Sequence, residues 1–437
     1  MIRLILVFGL ILIGALASLQ GSFYVLLFYF WNAYFRPDAW VWSDLVVGLR
    51  LSLTIGAFLI LTSIKDLKYF KLTFQLILIV LFFAQATLSL FASDFFSSVW
   101  PFWVELLKIV IVCLVMTVLI RDRHQFRLTL WVICWSLSFE LAKQGWAQLI
   151  LNPGATNPNS NVLLGDNNGV ALGCMMLVPL LMALAQTAPT PREKWIHRLV
   201  MLGVIYRGIS TYSRGGFIAG GVVLLVTMLR SRYRLRVGVA AVVIGVTLYS
   251  VMPDRFWDRM RTISTSTEGD RRDASAASRL YFWQIATQMA NDHPFTGVGI
   301  NGFRYAFLTY DSGADEMKAT HSIWFGVLAD MGYPGLLLFA AVAIGALVSC
   351  QQSMRAARAA GQAEIATYAM QLQTVVLVYC AGGTFLSAQY LELWWHVVAL
   401  STTLSLILAR DVGATTPAVA PVPQFAAMPV IPAKLER

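Results

Sequence analysis

Two short stretches carry residue types that can do chemistry. "STYSRGGFIAGG" (Ser210–Gly221) sets Arg214 before an apolar run, and "THSIWFGVLADMGYPGLLLF" (Thr320–Phe339) sets His321 before another. An arginine fork at a helix start, beside free backbone N–H groups and the positive helix end, suits a phosphate or pyrophosphate. Gly215 and Gly216 let the backbone come close to such a ligand. The plainer reading of Arg214 is an interfacial arginine on lipid headgroups. Arg207 lies one heptad earlier, roughly 10 Å deeper along a helix. Charge at that depth implies a polar cavity, or an interhelical partner such as Glu105 or Glu140. His321 can take and return a proton near neutral pH, or simply make a cap-type hydrogen bond. Arg279 in "SRLYFWQIA" (278–286) is a further cation, which could equally be a solvated charge near Asp273 or Asp292.

Two polar loops accompany them. "NPGATNPNSNVLLGDNNG" (Asn152–Gly169) offers Asp166, Asn167 and Asn168 to sugar hydroxyls, or uses them for turns and a helix cap. "HPFTGVGINGFRYAF" (His293–Phe307) is a glycine-punctuated turn containing Asn301 and Arg304, either an anion-binding nest or a tight connection. Asn301 and Arg304 are further candidates for sugar or acceptor contact. His124 and His197 fall in basic loops, His293 precedes a proline turn, and His396 follows "LELWW", where aromatic packing explains it. The five cysteines show no C-x-x-C pair or metal spacing, so neither a disulfide framework nor a zinc site is expected.

The elements that must position these residues are membrane helices. The chain has 437 residues, 58% hydrophobic and only 13% charged, against about 25% charged in soluble domains. Apolar runs long enough to span a bilayer recur throughout. They fall at 43–62, 70–92, 100–120, 127–150, 167–187, 195–212, 214–230, 237–251, 321–349, 368–388 and 391–409. Residues 3–35 add one broken span or two, breakable at Gly14 or Gly21. Their first part, from Leu4 to Gln20, has a signal-peptide flavour and is read as retained. The expected fold is all-α: a polytopic membrane bundle of about 12 helices over 1–410, with 12 preferred to 13. A Pro/Ala-rich tail over 411–437 reads as disordered and cytoplasmic.

Lysine and arginine cluster in alternate loops, around Lys65–Lys71, Arg121–Arg127, Arg192–Arg198, Arg230–Arg236 and Arg355–Arg358. These loops are expected on the cytoplasmic side. The +10 net charge therefore reflects topology, and no nucleic acid partner is implied. The opposite, periplasmic side receives 151–166, the 212–214 corner and a large loop over 252–320. Within that loop "DASAASRLYFWQIATQMANDHP" reads as an amphipathic helix ended by Pro294, with stripes Leu280, Trp283, Thr287 and Phe282, Ile285, Met289. It would lie on the membrane or pack over the bundle. Arg214, Arg279 and His321 then share one face.

Four pieces in this order, "YSRGGFIAG" (212–220), "SRLYFWQIA" (278–286), "HPFTGVGINGFR" (293–304) and "THSIWFGVLADMGYPGLLL" (320–338), resemble the O-antigen ligase and polymerase family of bacterial membrane glycosyltransferases. The resemblance spans about 200–350; the remaining spans match only in hydropathy. It implies transfer of a glycan from undecaprenyl pyrophosphate, outside the cytoplasm and at the inner membrane, to an acceptor hydroxyl. The acceptor is lipid A–core in ligases, a Ser, Thr or Tyr in protein O-glycosylation ligases, and another lipid-linked repeat in polymerases. By motif position Arg214 and Arg279, with Arg207 beneath, would hold the pyrophosphate, and His321 would be the base. Many members have His-Asn where this chain has His321-Ser322. With "GDNNG" upstream, that variant is similar to the O-glycosylation ligases found beside exosortases, which puts the acceptor in question more than the chemistry.

The chemistry agrees with the resemblance. A histidine can deprotonate the acceptor, and arginines in a low-dielectric site can stabilise the departing pyrophosphate. No cofactor and no metal ion are expected, and single displacement would invert the anomeric centre. The rival from another class is a lipid-linked glycan transporter or flippase, but no repeated halves with paired broken helices stand out. Sidedness is directly testable. Cysteines placed at Ser266 and Gly313 are expected to react with an impermeant thiol reagent on spheroplasts, and one at Ser231 to stay protected. The reverse pattern would put the site in the cytoplasm.

Overall fold

The computed structural model describes residues 2–41, 46, 48–157, 160–231, 233–236, 238–239 and 274–415. The span expected at 237–251 apart from 238–239, the first part of the 252–320 loop and residues 416–437 of the expected tail lie outside the described residues. What is described is all-α, without a strand. In chain order the helices are α1 (Ile2–Ser18), α2 (Ser22–Phe35), α3 (Leu51–Ser63), α4 (Phe74–Phe91), α5 (Phe96–Leu119), α6 (Arg123–Leu151) and α7 (Asn167–Gln186). They continue with α8 (Pro191–Ile209), α9 (Arg214–Arg230), α10 (Ala274–Asp292), α11 (Phe303–Tyr310), α12 (Ile323–Ala359), α13 (Ala363–Gly383) and α14 (Glu392–Thr415). Short turns at Pro37–Trp40 and Ile64–Tyr69 are the other helical pieces.

Six of the helices are long and apolar enough to cross a membrane: α4, α5, α7, α12, α13 and α14. The expected spans at 127–150, 195–212 and 214–230 are also helical, on α6, α8 and α9, and that at 43–62 begins later, on α3. The N-terminal run breaks at Gly21, where φ is 147°, and α1 packs back on α2 with Phe28 against Gly14.

Helix starts follow cap chemistry legible in the sequence. Thr73, Asp122, Asp166, Thr190, Ser213 and Ser322 each accept a backbone N–H of the first turn, satisfying donors the helix leaves orphaned. α7 forms the middle of the bundle: nearly every side chain from Val170 to Ala185 is buried. Basic loops meet at one end, where Arg121 pairs with Asp66 at 2.7 Å, Arg123 with Asp411 at 2.8 Å, and Arg127 with Glu193. At the other end the 93, 152–168, 210–213, 293–302, 320–322 and 384–391 segments touch one another. The alternation read from charge thus appears as two ends of one bundle.

α12 departs from the expected single span. Pro334 has no N–H to give the carbonyl four residues back, and its ring crowds that carbonyl. The chain yields at Gly332, with φ 67° and ψ −167°. The freed groups are all taken up. The Asp330 carbonyl accepts from Ser89 Oγ at 2.5 Å and Gly299 N at 3.1 Å, and that of Ala329 accepts Val298 N at 2.9 Å. The Met331 carbonyl accepts Gln85 Nε2 at 3.0 Å, while Tyr333 N turns to the Pro294 carbonyl at 3.0 Å. The 293–302 loop is thereby laced to the break. It is a tight connection, with Gly297 and Gly299 at positive φ.

α10 packs over the bundle. Its Phe282, Ile285, Ala286 and Met289 join Phe303, Phe307 and Ala329 in one buried cluster, while Leu280 is exposed. The Phe282, Ile285, Met289 stripe is the one used for packing. Trp283, from the other stripe, stacks on Phe325 at 4.9 Å and donates to the Thr320 carbonyl at 3.0 Å.

A methyl at Gly332 would meet the Pro294 carbonyl in a conformation that side chains resist. Gly332→Ala is therefore expected to cost more than about 2 kcal/mol, seen as a lower unfolding temperature in detergent. Gly221→Ala, on a helix with nothing within 4 Å of the added methyl, is expected to leave that temperature unchanged or raise it.

Candidate active site

His321 sits ahead of α12 in a left-handed backbone conformation, φ 50°. Few non-glycine residues adopt it, though histidine does so more than most. Two neighbours hold it there. Its N–H donates to Ser387 Oγ at 2.9 Å, and Ser387 also touches Thr320 Oγ1 at 3.3 Å. Thr320 and Ser322 are buried on either side while His321 is half-buried. The cap-type alternative for His321 falls to Ser322, whose Oγ accepts Phe325 N at 3.5 Å. Position 322, where the family often has asparagine, is thus a fully buried cap, a role serine and asparagine fill about equally.

Arg279 lies in the second turn of α10, half-buried, and Arg214 begins α9, also half-buried. Burial and then the nearby Arg214 push the Arg279 guanidinium below its ordinary range. Burial and then Arg279 push the His321 imidazole down, while Asp166 pulls it up. Charge thus acts between Arg214 and Arg279, between Arg279 and His321, and between Asp166 and His321. Phe282 places its ring 6.3 Å from that of His321, an apolar wall beside the imidazole.

Asp166, Asn167 and Asn168 brace this corner. Asp166 Oδ1 caps α7, accepting Asn168 N at 3.0 Å and Gly169 N at 2.9 Å. Asn167 Nδ2 donates to the Thr211 carbonyl at 2.7 Å, and Asn168 Oδ1 accepts Ser213 Oγ at 2.8 Å. The turn before Arg214 is bent at Tyr212, φ 52°, whose hydroxyl donates to the Gly154 carbonyl. The "GDNNG" and "STYSRGG" motifs are two sides of one joint.

Other candidates lie elsewhere. Arg207 is 1% exposed, with Nε on Gln144 Oε1 at 2.9 Å and Nη1 on the Asn157 carbonyl at 3.2 Å. Its partner on α6 is Gln144, which in turn donates to Glu140. Arg304 lays its guanidinium over the Phe102 ring, 5.6 Å from the centroid. Asn301 turns the 293–302 loop at φ 53°.

The residue that the sequence reading passed over is Asp330. Fully buried, it accepts Phe303 N at 3.1 Å, Tyr390 Oη at 2.9 Å and Gln389 Nε2 at 3.3 Å. It ties the 293–303 loop and the α13–α14 connection to the break in α12. An acid inside an apolar run is itself a signal. Ser387 carried none; only the fold brings it to His321.

Residues 199–340 match the family model described as O-antigen ligase, and the match assigns this part of the chain to that family. No curated protein matches the chain. The matched stretch contains Arg214, Arg279, Asp330 and His321 together. With the six apolar helices, the match supports a multi-pass membrane protein of the O-antigen ligase type.

The electrostatics predict a pH signature. A lowered pKa keeps His321 neutral further into acid than an ordinary imidazole, near 6.5. Carbethoxylation of His321 against pH, followed by peptide mass spectrometry, is expected to show a midpoint below that value. Arg279→Gln should raise the midpoint and Asp166→Asn should lower it further. Identical midpoints in all three proteins would mean that these charges do not reach the imidazole.

Proposed function

We propose that the protein transfers a glycan from undecaprenyl pyrophosphate to an acceptor hydroxyl, where Arg214, Arg279 and His321 converge. What supports this reading is that all three fall in the family-matched stretch, with Arg279 near enough to Arg214 and to His321 for charge to act between each pair. His321 accepts the hydroxyl proton as the acceptor oxygen attacks the anomeric carbon. The bond from that carbon to the pyrophosphate oxygen breaks, and the leaving group takes the electron pair. Arg214 and Arg279 meet that growing charge in a partly desolvated site, where a guanidinium is worth more than in water. Attack from the opposite face inverts the anomeric centre. The step needs no metal ion and no ATP, since the pyrophosphate linkage is already activated.

Arg207 serves this site from beneath, holding the 152–157 segment to α6 and α8. Asp166 keeps the imidazole from losing too much basicity to the arginines. The basic loops at the far end support a site on the periplasmic face of the inner membrane. The acceptor is lipid A–core oligosaccharide. A protein hydroxyl or a second lipid-linked repeat would use the same chemistry.

The test is an incubation of purified protein with lipid-linked glycan and either lipid A–core or a candidate protein, scored by which acceptor gains mass. Arg214→Ala and Arg279→Ala are each expected to lose most transfer while remaining folded. Arg→Lys should restore only part, since lysine keeps the charge and loses the fork. EDTA should leave the wild type active. Full activity in both alanine variants would remove the pyrophosphate role, and a strict need for added Mg²⁺ would contradict the metal-free step.

A further inference from the structure

Away from His321, a groove of about 620 Å³ opens between α2, α3, α5 and the start of α14. α2 and α3 run antiparallel, with Ser22 Oγ on the Thr62 carbonyl at 2.8 Å and Asn32 Nδ2 on Ser52 Oγ at 3.0 Å. Arg36 and Arg50 therefore share one end. That end is polar, and the walls away from it are apolar, with Leu53 and Ile60 themselves exposed at its flank. A polar mouth over an exposed apolar wall is the profile of a membrane amphiphile.

The headgroup chemistry can be read from the mouth. It holds three cations, Arg36, Arg50 and Lys108, and three carboxylates, Asp38, Glu105 and Glu392. Arg36 pairs with Asp38 at 2.9 Å and Lys108 with Glu105 at 2.7 Å. Glu392 is different. No donor among the described residues hydrogen-bonds its carboxylate, although its side chain is only 17% exposed. His396 Nε2 stands 3.9 Å away, too far for a hydrogen bond, and that nitrogen is fully buried with no partner of its own. A carboxylate so placed calls for a donor beyond the described residues.

We infer that the groove is a lipid site for a phospholipid whose headgroup carries a primary ammonium beside its phosphate. The ammonium donates to Glu392 and the phosphate lies toward Arg50 and Arg36. A purely anionic headgroup would meet Glu392 with like charge. A quaternary ammonium has no N–H to give it. A neutral sugar headgroup would leave the balanced charges unused.

The experiment is native mass spectrometry of delipidated protein offered phosphatidylethanolamine, phosphatidylglycerol, phosphatidylcholine and monogalactosyl diacylglycerol in competition. Phosphatidylethanolamine is expected to be retained over the other three. Glu392→Gln is expected to cut its relative occupancy roughly tenfold, the scale of one charge-assisted hydrogen bond. Arg50→Ala, at an exposed position, is expected to weaken retention as well. Should Glu392→Gln not fold, the wild-type ranking and Arg50→Ala still decide. Equal retention of all four lipids, preference for phosphatidylglycerol or the galactolipid, or unchanged selectivity in Glu392→Gln would each overturn the assignment.

Discussion

The carbonyls released by Pro334 are the constraint on which the site depends. A proline in an apolar span leaves a backbone acceptor open where no water can fill it. Here the opening is answered by Ser89 and Gly299 at the Asp330 carbonyl, by Val298 at Ala329 and by Gln85 at Met331. The Asp330 carboxylate adds Phe303, Tyr390 and Gln389. A break in one helix thus becomes the anchor for the 293–303 loop and the α13–α14 connection. That connection carries Ser387 to the His321 N–H, and the buried face of α10, which brings Arg279, rests on the anchored loop and α12.

The second joint is independent of the first. Asn167 and Asn168 grip Thr211 and Ser213, and so fix where α9 begins and where Arg214 stands. Two rigid joints, one on each side, bring two like charges and an imidazole near one another. Burial first, and then the neighbouring cation, shifts both Arg279 and His321 toward their neutral forms. On the proposed function, an anion would relieve these cations and the neutral imidazole beside it would accept a proton. The same connection that holds His321 leads, five residues on, into Glu392 at the mouth of the lipid groove.

Much of this was legible in the sequence because it rests on local rules. Serine, threonine and aspartate before apolar runs gave the helix starts, and lysine and arginine alternation gave the two ends. Glycine-rich "GVGING" marked a tight turn. Topology and motif order put Arg214, Arg279 and His321 on one face as an expectation. What escaped was what only tertiary contact creates. "ADMGYPGLLL" reads as continuous span by hydropathy, yet it breaks at Gly332 and Pro334, where Val298, Gly299, Ser89 and Gln85 supply the missing donors. Arg207, which the sequence offers as a ligand at depth or an interhelical partner, is engaged by Gln144 and Asn157. Ser387 has no local signature at all.

On the proposed mechanism His321 acts on the acceptor and the arginines act on the donor. The most direct test compares donor binding with turnover in His321→Ala, using a lipid-linked glycan. Donor affinity is expected within a few-fold of wild type and transfer reduced about 10²–10⁴-fold, the usual loss for a general base. Parallel loss of binding and turnover would make His321 a donor ligand or a structural support, and surviving turnover would mean that another group takes the proton.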